Sequence, residues 1–259
     1  MIESRSNAQI KYIQKIKKSA RFRRREKCFL AEGFKMVGEA LGHGCVRKVY
    51  VSEAAKDEYE KILLHKIKDN DLEWVIPSLF QEMSDTSTPQ GVMALVNMPE
   101  YRRETLVETK DASLICLEDI QDPGNLGTIF RTAEGAGMTA VVLSGGCVDL
   151  FNPKVVRSTM GSLFRVPFYI TGDMAEEVAL LRDCGFTMYA AGLDARREYT
   201  SCDYTGKVGI LIGNEANGLK TRTSAMADQK ISIPMEGEVE SLNAAVSAAL
   251  LMYEIHRDR

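Results

Sequence analysis

The chain has 259 residues, 45% of them hydrophobic and 27% charged, which is material for one large α/β domain or two modest ones with their own cores. Six scattered cysteines without a C-x-x-C pair, and only His43, His65 and His256, argue against a disulfide framework, a zinc site or a histidine-centred triad. The first thirty residues lack the apolar stretch of a signal peptide, and no apolar run approaches the ~20 residues of a membrane span. A cytoplasmic protein with neither membrane nor metal partners is expected.

Along the chain, residues 1–27 carry ten basic and two acidic side chains, a local charge of +8 in a chain whose net charge is −3. A concentrated basic segment on an acidic body predicts phosphate-backbone binding, with Arg21, Arg23, Arg24 and Arg25 as its densest part; a solvated tail is the bland alternative. Ile10, Ile13 and Ile16 predict a short amphipathic helix over 7–18. A second helix is expected over Glu32–Leu41, ending at Gly42, and a charged one between Asp57 and Lys68. Strands are expected at Lys48–Ser52, Glu73–Ile76 and Val92–Val96, so residues 1–98 read as a small α/β domain. A polar, proline-bearing linker follows over 99–110. From 111 to 259 strand-like runs at Ser113–Leu117, Ala140–Ser144, Val166–Ile170, Thr187–Gly192, Val208–Gly213 and Lys230–Pro234 alternate with helices. Those helices are expected over Leu126–Ala136, Lys154–Phe164, Met174–Cys184 and Leu242–Arg257. The alternation predicts a mostly parallel sheet covered on both faces, with ligands at the carboxyl ends of its strands.

Three loops carry chemistry. Asp122-Pro-Gly-Asn-Leu-Gly127 turns a strand into a helix, with Asn125 as a possible cap and Arg131 one to two turns inside. A wholly apolar strand stops at Gly213 and presents Asn214-Glu215 at its tip, either as ligand groups or as a helix-initiating turn. The third runs from Ile231 through Pro234 to Ser241, which is expected to open a helix rich in alanine. Ala244, Ala245, Ser247, Ala248 and Ala249 predict close packing or a dimer seam there.

N-x-G-x-x-x-R, I-G-N-E-x-x-G-L and I-x-I-P-M-x-G-x-x-x-S-L-N, in this order, resemble the three motifs of the SpoU (TrmH) family of RNA ribose methyltransferases in the SPOUT superfamily. Phe29-Leu-Ala-Glu-Gly33 and Thr88-Pro-Gln-Gly-Val-Met-Ala94 are similar to recurring segments of the N-terminal substrate-binding domain that many members carry. The resemblance implies a trefoil-knotted α/β catalytic domain behind a smaller ribosomal-protein-like α/β domain, working as a homodimer. It implies S-adenosylmethionine as cofactor, held by Gly192, Leu193, Gly213, Ile233, Leu242 and Ala244. It places Asn125, Arg131, Glu215, Ser241 and Asn243 around the reacting ribose. The segment Asn152–Gly161 is family-like too, and implies RNA contacts by Lys154, Arg157 and Thr159.

The implied reaction is in-line transfer of a methyl group to a ribose 2′-hydroxyl. An arginine stays protonated in water, so Arg131 reads as an electrostatic stabiliser of the forming alkoxide, with phosphate or Glu215 taking the proton. Large-subunit ribosomal RNA is the expected substrate and transfer RNA the alternative. A non-catalytic RNA-binding scaffold would be expected to lack Asn125, Arg131 or Asn243, all of which are present. A nucleotide-dependent oxidoreductase would need a G-x-G-x-x-G turn, which the first loop lacks.

Overall fold

The computed structural model describes residues 1–63, 67 and 71–257. Asn7 caps α1 (Ala8–Lys18) by accepting from the Gln9 amide, and Ile10, Ile13 and Ile16 are buried along one side, as the spacing predicts. The basic run continues as a second helix, α2 (Ala20–Glu26), closed by Lys27 in the left-handed conformation. Then come β1 (Cys28–Glu32), α3 (Phe34–Gly42), β2 (Val46–Ser52) and α4 (Lys56–Ile62). The expected helix over Glu32–Leu41 therefore starts two residues late. Glu32 belongs to a strand, and Gly33 turns the chain at φ 92°. The expected charged helix between Asp57 and Lys68 falls partly on 64–66 and 68, outside the described residues. The first part ends with β3 (Leu72–Val75), α5 (Pro77–Met83) and β4 (Val92–Asn97).

The stretch read as a linker contains α6 (Arg103–Glu108). After it the alternation holds: β5 (Ser113–Leu117), α7 (Pro123–Gly135), β6 (Ala140–Ser144), α8 (Pro153–Ser158), β7 (Phe168–Thr171), α9 (Met174–Asp183) and β8 (Thr187–Ala191). A two-residue strand β9 (Arg197–Glu198), β10 (Val208–Ile212), a short α10 (Thr221–Met226), β11 (Gln229–Ser232) and α11 (Ala244–Arg257) complete it. α11 opens at Ala244 instead of Ser241, because Asn243 is its cap: the Asn243 Oδ1 accepts from the amides of Ala245 at 2.9 Å and Val246 at 3.3 Å.

The described residues form two compact units, those of 1–99 with 149–164 and those of 100–148 with 165–257. The first is built on a mixed four-stranded sheet in the order β1-β4-β2-β3. The three isoleucines of α1 pack with Cys28, Leu30 and Tyr50 of that sheet and with Phe80 of α5. Each such side chain contributes roughly 1.5–3 kcal/mol on burial, so α1 is part of the core and not a tail. α8 joins the same unit.

Arg23 is only 3% exposed. Its Nη1 donates to the carbonyls of Ile16 at 2.6 Å and Lys17 at 2.9 Å, while Nε and Nη2 pair with Asp149. Arg23 therefore ends α1 and pins the 149–164 segment, which corrects its expected place among the RNA contacts. Thr159 is corrected for the same reason. It is fully buried and its hydroxyl donates to the Val156 carbonyl at 2.7 Å. Arg21, Arg24, Arg25 and Lys154 remain exposed, and Arg157 is half-buried beside Asp85.

The second unit holds a seven-stranded all-parallel sheet in the order β7-β6-β5-β10-β8-β11-β9. β5 leads outward to β6 and β7, and the chain then returns to the other side of β5. Strand order reverses there, and such a switch point opens a crevice at the carboxyl ends.

Candidate active site

The register decides which loops meet. Leu117 of β5 lies opposite Ile212 of β10, so the loops beginning at 118 and 213 leave the sheet as neighbours. β8 flanks β10 on its far side, and β11 follows with Ile231 opposite Ala191. The loops after β8 and β11 therefore begin beside each other, at Gly192 and Ile233.

Within the first loop Asp122 caps α7. Its Oδ1 accepts from the Asn125 amide at 2.7 Å, and Pro123 takes the first helical position, where a missing N–H costs nothing. Asn125 is therefore not the cap expected of it. Its side chain is free to bridge, and does so on both ends. Its Nδ2 donates to Glu215 Oε1 at 3.0 Å, and its Oδ1 accepts from Asn243 Nδ2 at 2.9 Å. Glu215 also accepts from the amides of Gln121 at 3.1 Å and Asp122 at 3.2 Å. One hydrogen-bonded line thus joins three motifs that lie far apart in the chain: Asn243 from the cap of α11, Asn125 from α7 and Glu215 from the loop after β10. Burial pushes the Glu215 carboxyl up, but the Asn125 amide and the backbone N–H groups outweigh it and hold the group below the ordinary carboxylate range. Asp122-Pro123 was readable as a cap followed by a first-turn proline; the amides that Gln121 and Asp122 offer to Glu215 had no signal of their own.

Asn214 shapes the second loop and caps no helix. It exchanges backbone hydrogen bonds with Gly218 at 3.0 and 2.9 Å, and its Oδ1 accepts from the amides of Ala216 and Asn217. A Cβ on Gly213 would overlap the backbone of Gly218 and Leu219, so only glycine lets the loop fold back on itself this tightly.

Arg131 is exposed, two turns into α7, and has no hydrogen-bond or ion-pair partner among the described residues. Ser241 is exposed and likewise outside the hydrogen-bonded line. The structure thus brings Asn125, Glu215 and Asn243 together, and leaves Arg131 and Ser241 uncommitted. Gly192, Gly213, Ile233, Leu242 and Ala244 are half-buried, and Leu193 is 66% exposed. Among the described residues no group of three or more His, Cys, Asp or Glu side chains is placed to hold a metal ion, and no helix is long and apolar enough to cross a membrane.

The family model described as the SpoU rRNA Methylase family matches residues 112–253. The chain belongs to the SpoU rRNA methylase family. The model of the MRM3-like substrate binding domain matches residues 7–94. The chain is 31% identical over 258 residues to the 23S rRNA (guanosine(2553)-2'-O)-methyltransferase RlmP of Bacillus subtilis, covering 98% of each. It is 28% identical over 306 residues to the mitochondrial rRNA methyltransferase 3 of Homo sapiens, covering 93% of this chain and 70% of that one. Among solved structures, the SpoU methyltransferase AviRb from Streptomyces viridochromogenes in complex with AdoMet superposes with a TM-score of 0.87 at 28% identity, covering 97% of each chain. As a SpoU methylase this chain is an RNA 2′-O-ribose methyltransferase that uses S-adenosylmethionine.

The residues at this end of the sheet fit that cofactor. Three neighbouring strands, β10, β8 and β11, stop immediately before Gly213, Gly192 and Ile233, so three loop backbones begin side by side, the kind of N–H and C=O array that suits an adenine edge and a carboxylate. Leu193 stands exposed beside them as an apolar surface for a ring.

Proposed function

We propose that this SpoU methylase modifies a ribose of large-subunit ribosomal RNA as a homodimer, with the first unit seating the RNA and the loops after β5, β10, β8 and β11 carrying the chemistry. The observation that supports it most is the Asn243–Asn125–Glu215 line, which orders three loops of the family's three motifs around one point. The whole-chain relatives add weight, since RlmP of Bacillus subtilis is named for a 23S rRNA guanosine. Action in the cytoplasm belongs to the same proposal, in keeping with six free thiols.

Gly192, Leu193, Gly213, Ile233, Leu242 and Ala244 would hold S-adenosylmethionine, which when bound supplies an electrophilic methyl group on a sulfonium. The chain's own residues prepare the acceptor. Asn125 and Asn243 orient the ribose through amide groups already aligned by Glu215 and by the cap of α11. Arg131 supplies a permanent positive charge to the 2′-oxygen, which lowers the barrier to losing its proton and stabilises the alkoxide. Glu215 is a poor base for that proton, because three donors occupy its oxygens and its pKa is depressed. It orients Asn125, and the proton leaves through an RNA phosphate or solvent. Ser241, exposed at the edge of the third loop, is a further contact to the ribose.

The dimer seam would lie on α11. Val246, Leu250 and Tyr253 form an exposed apolar stripe on it, 48%, 37% and 51% accessible, while Ala245 and Ala248 face inward. Mapping 2′-O-methylation in total RNA from cells with and without the gene tests the substrate. Loss of one site in large-subunit RNA is expected; loss confined to transfer RNA would overturn the ribosomal assignment.

A further inference from the structure

Glu118, the first residue after β5, is 2% exposed and is absent from every motif discussed above. A buried carboxylate is costly unless both oxygens are satisfied, and here they are. Its Oε2 accepts from the Lys220 amide at 2.8 Å and its Oε1 from the Thr223 hydroxyl at 2.6 Å, while its own amide donates to the Ile212 carbonyl at 2.9 Å. Asp119, next in the chain, is held at φ 58°. Its carboxylate pairs with Lys220 Nζ at 2.6 Å and accepts from the Ser144 hydroxyl at 2.7 Å, and its carbonyl accepts from Asn214 Nδ2 at 2.8 Å.

Both ends of the loop after β10 are therefore tied to residues 118 and 119: Asn214 at its start, and Lys220 by backbone and side chain at its finish. Between the ties lie Gly218, whose backbone leaves no room for a Cβ on Gly213, and Glu215, which sets Asn125. A buried ion pair or carboxylate seldom adds more stability than a well-packed apolar group of similar size. What a carboxylate offers here is direction, since each oxygen fixes one donor more than a hundred positions away in the chain.

We propose that Glu118, with Asp119 and Lys220, is a positioning residue for S-adenosylmethionine binding, fixing the shape of loop 213–220 before the cofactor arrives. The proposal rests on the assignment of Gly213 and its loop to the cofactor.

The test uses the full chain. Isothermal titration with S-adenosylmethionine measures affinity, and hydrogen exchange of the unliganded protein reports the loop separately from the sheet. Glu118→Gln should raise the Kd by roughly tenfold to a hundredfold, the range for losing a hydrogen bond to a buried charge. Exchange should quicken in 213–220 while β5 and β6 stay protected. Arg222→Ala, an exposed change on the same α10 that carries Thr223, should alter neither. A Kd within twofold of wild type with unchanged loop exchange would overturn the proposal. So would exchange that quickens equally across the sheet, since Glu118 would then be general scaffold. If Glu118→Gln does not fold, Thr223→Val carries the test: it should raise the Kd several-fold with the same local exchange pattern, and no change would overturn the proposal. Failure of the cofactor assignment looks different. Wild-type protein would bind S-adenosylmethionine without any added protection of 213–220, which removes the loop's role and Glu118's with it.

Discussion

Arg131 and Asn125 leave the same helix yet stand in opposite states: the amide is bonded at both ends, the guanidinium at neither. A side chain so ordered is built to hold geometry, and one so uncommitted is available to a substrate. Arg131→Ala should therefore cut methyl transfer by about a hundredfold or more, the scale for removing a group that stabilises a forming oxyanion. The affinity for S-adenosylmethionine should stay within a few-fold, and a tritium-transfer assay beside isothermal titration checks both. Glu215 gives a second prediction. Its folded pKa is depressed, so its contribution to stability is complete above the ordinary carboxylate value of about 4.3 and is lost as pH falls through the lower folded value. Glu215→Gln should melt below wild type at neutral pH, and the gap should close on acidification through that range. A gap that widened instead would mean the carboxyl is protonated, and not ionised, in the folded protein.

Among the elements, α1, α2 and α11 each behave differently from what their composition alone suggests. The basic N-terminal segment is two ordered helices, with Ile10, Ile13, Ile16 and Arg23 buried. Deleting 1–27 would unfold the first unit and say nothing of RNA. Removing only exposed cations without a partner among the described residues is the discriminating experiment. Arg21→Gln, Arg24→Gln and Lys154→Gln combined should leave the melting temperature unchanged and make the log–log salt dependence of RNA binding shallower by about 2, at roughly 0.7 per lost phosphate contact on a single strand. An unchanged slope would place the RNA elsewhere. On α11 Ala245 and Ala248 face inward with Leu251, Met252 and Ile255, while Val246, Leu250 and Tyr253 face outward, so Ala245→Glu would break the protomer. Leu250→Glu puts a carboxylate into the exposed stripe without touching the core. Sedimentation velocity should then show monomer in place of dimer; a dimer that survives would mean the stripe is not the seam.

At the scale of the whole molecule, the chain passes between the two compact units three times, near residues 99, 148 and 164. The segment 149–164 lies in sequence between β6 and β7 of the catalytic sheet but packs with the substrate-binding unit, where α8 contributes Lys154 and Arg157. The Arg23–Asp149 pair and the contacts of Phe29 with Phe151 and Phe164 hold it there. Breaking a buried pair from one side typically costs about 3–5 kcal/mol.

Periodicity and punctuation are local, and what they encode was legible in the sequence. The isoleucines of α1, the apolar run of β10, the alternation from Ser113 to Arg257 and the glycine-rich entrances to three loops all act over a few residues. They sufficed to place a parallel sheet, and the resemblance of the three loops to the family's motifs pointed at Asn125, Arg131, Glu215 and Asn243. Which partner each of those groups takes is a long-range matter. Asn125 is bonded to residues 90 and 118 positions away, and Glu118 to residues 102 and 105 positions away. Strand order brings the loops after β5 and β10 together, because β10 inserts beside β5, and the packing of α11 against α7 brings Asn243 to Asn125. Arg23 and Asp149 lie 126 positions apart, so a basic side chain inside a basic helix gave no sign that it was buried. Composition determined how many cations the helix carries; only the tertiary structure decided which of them face water.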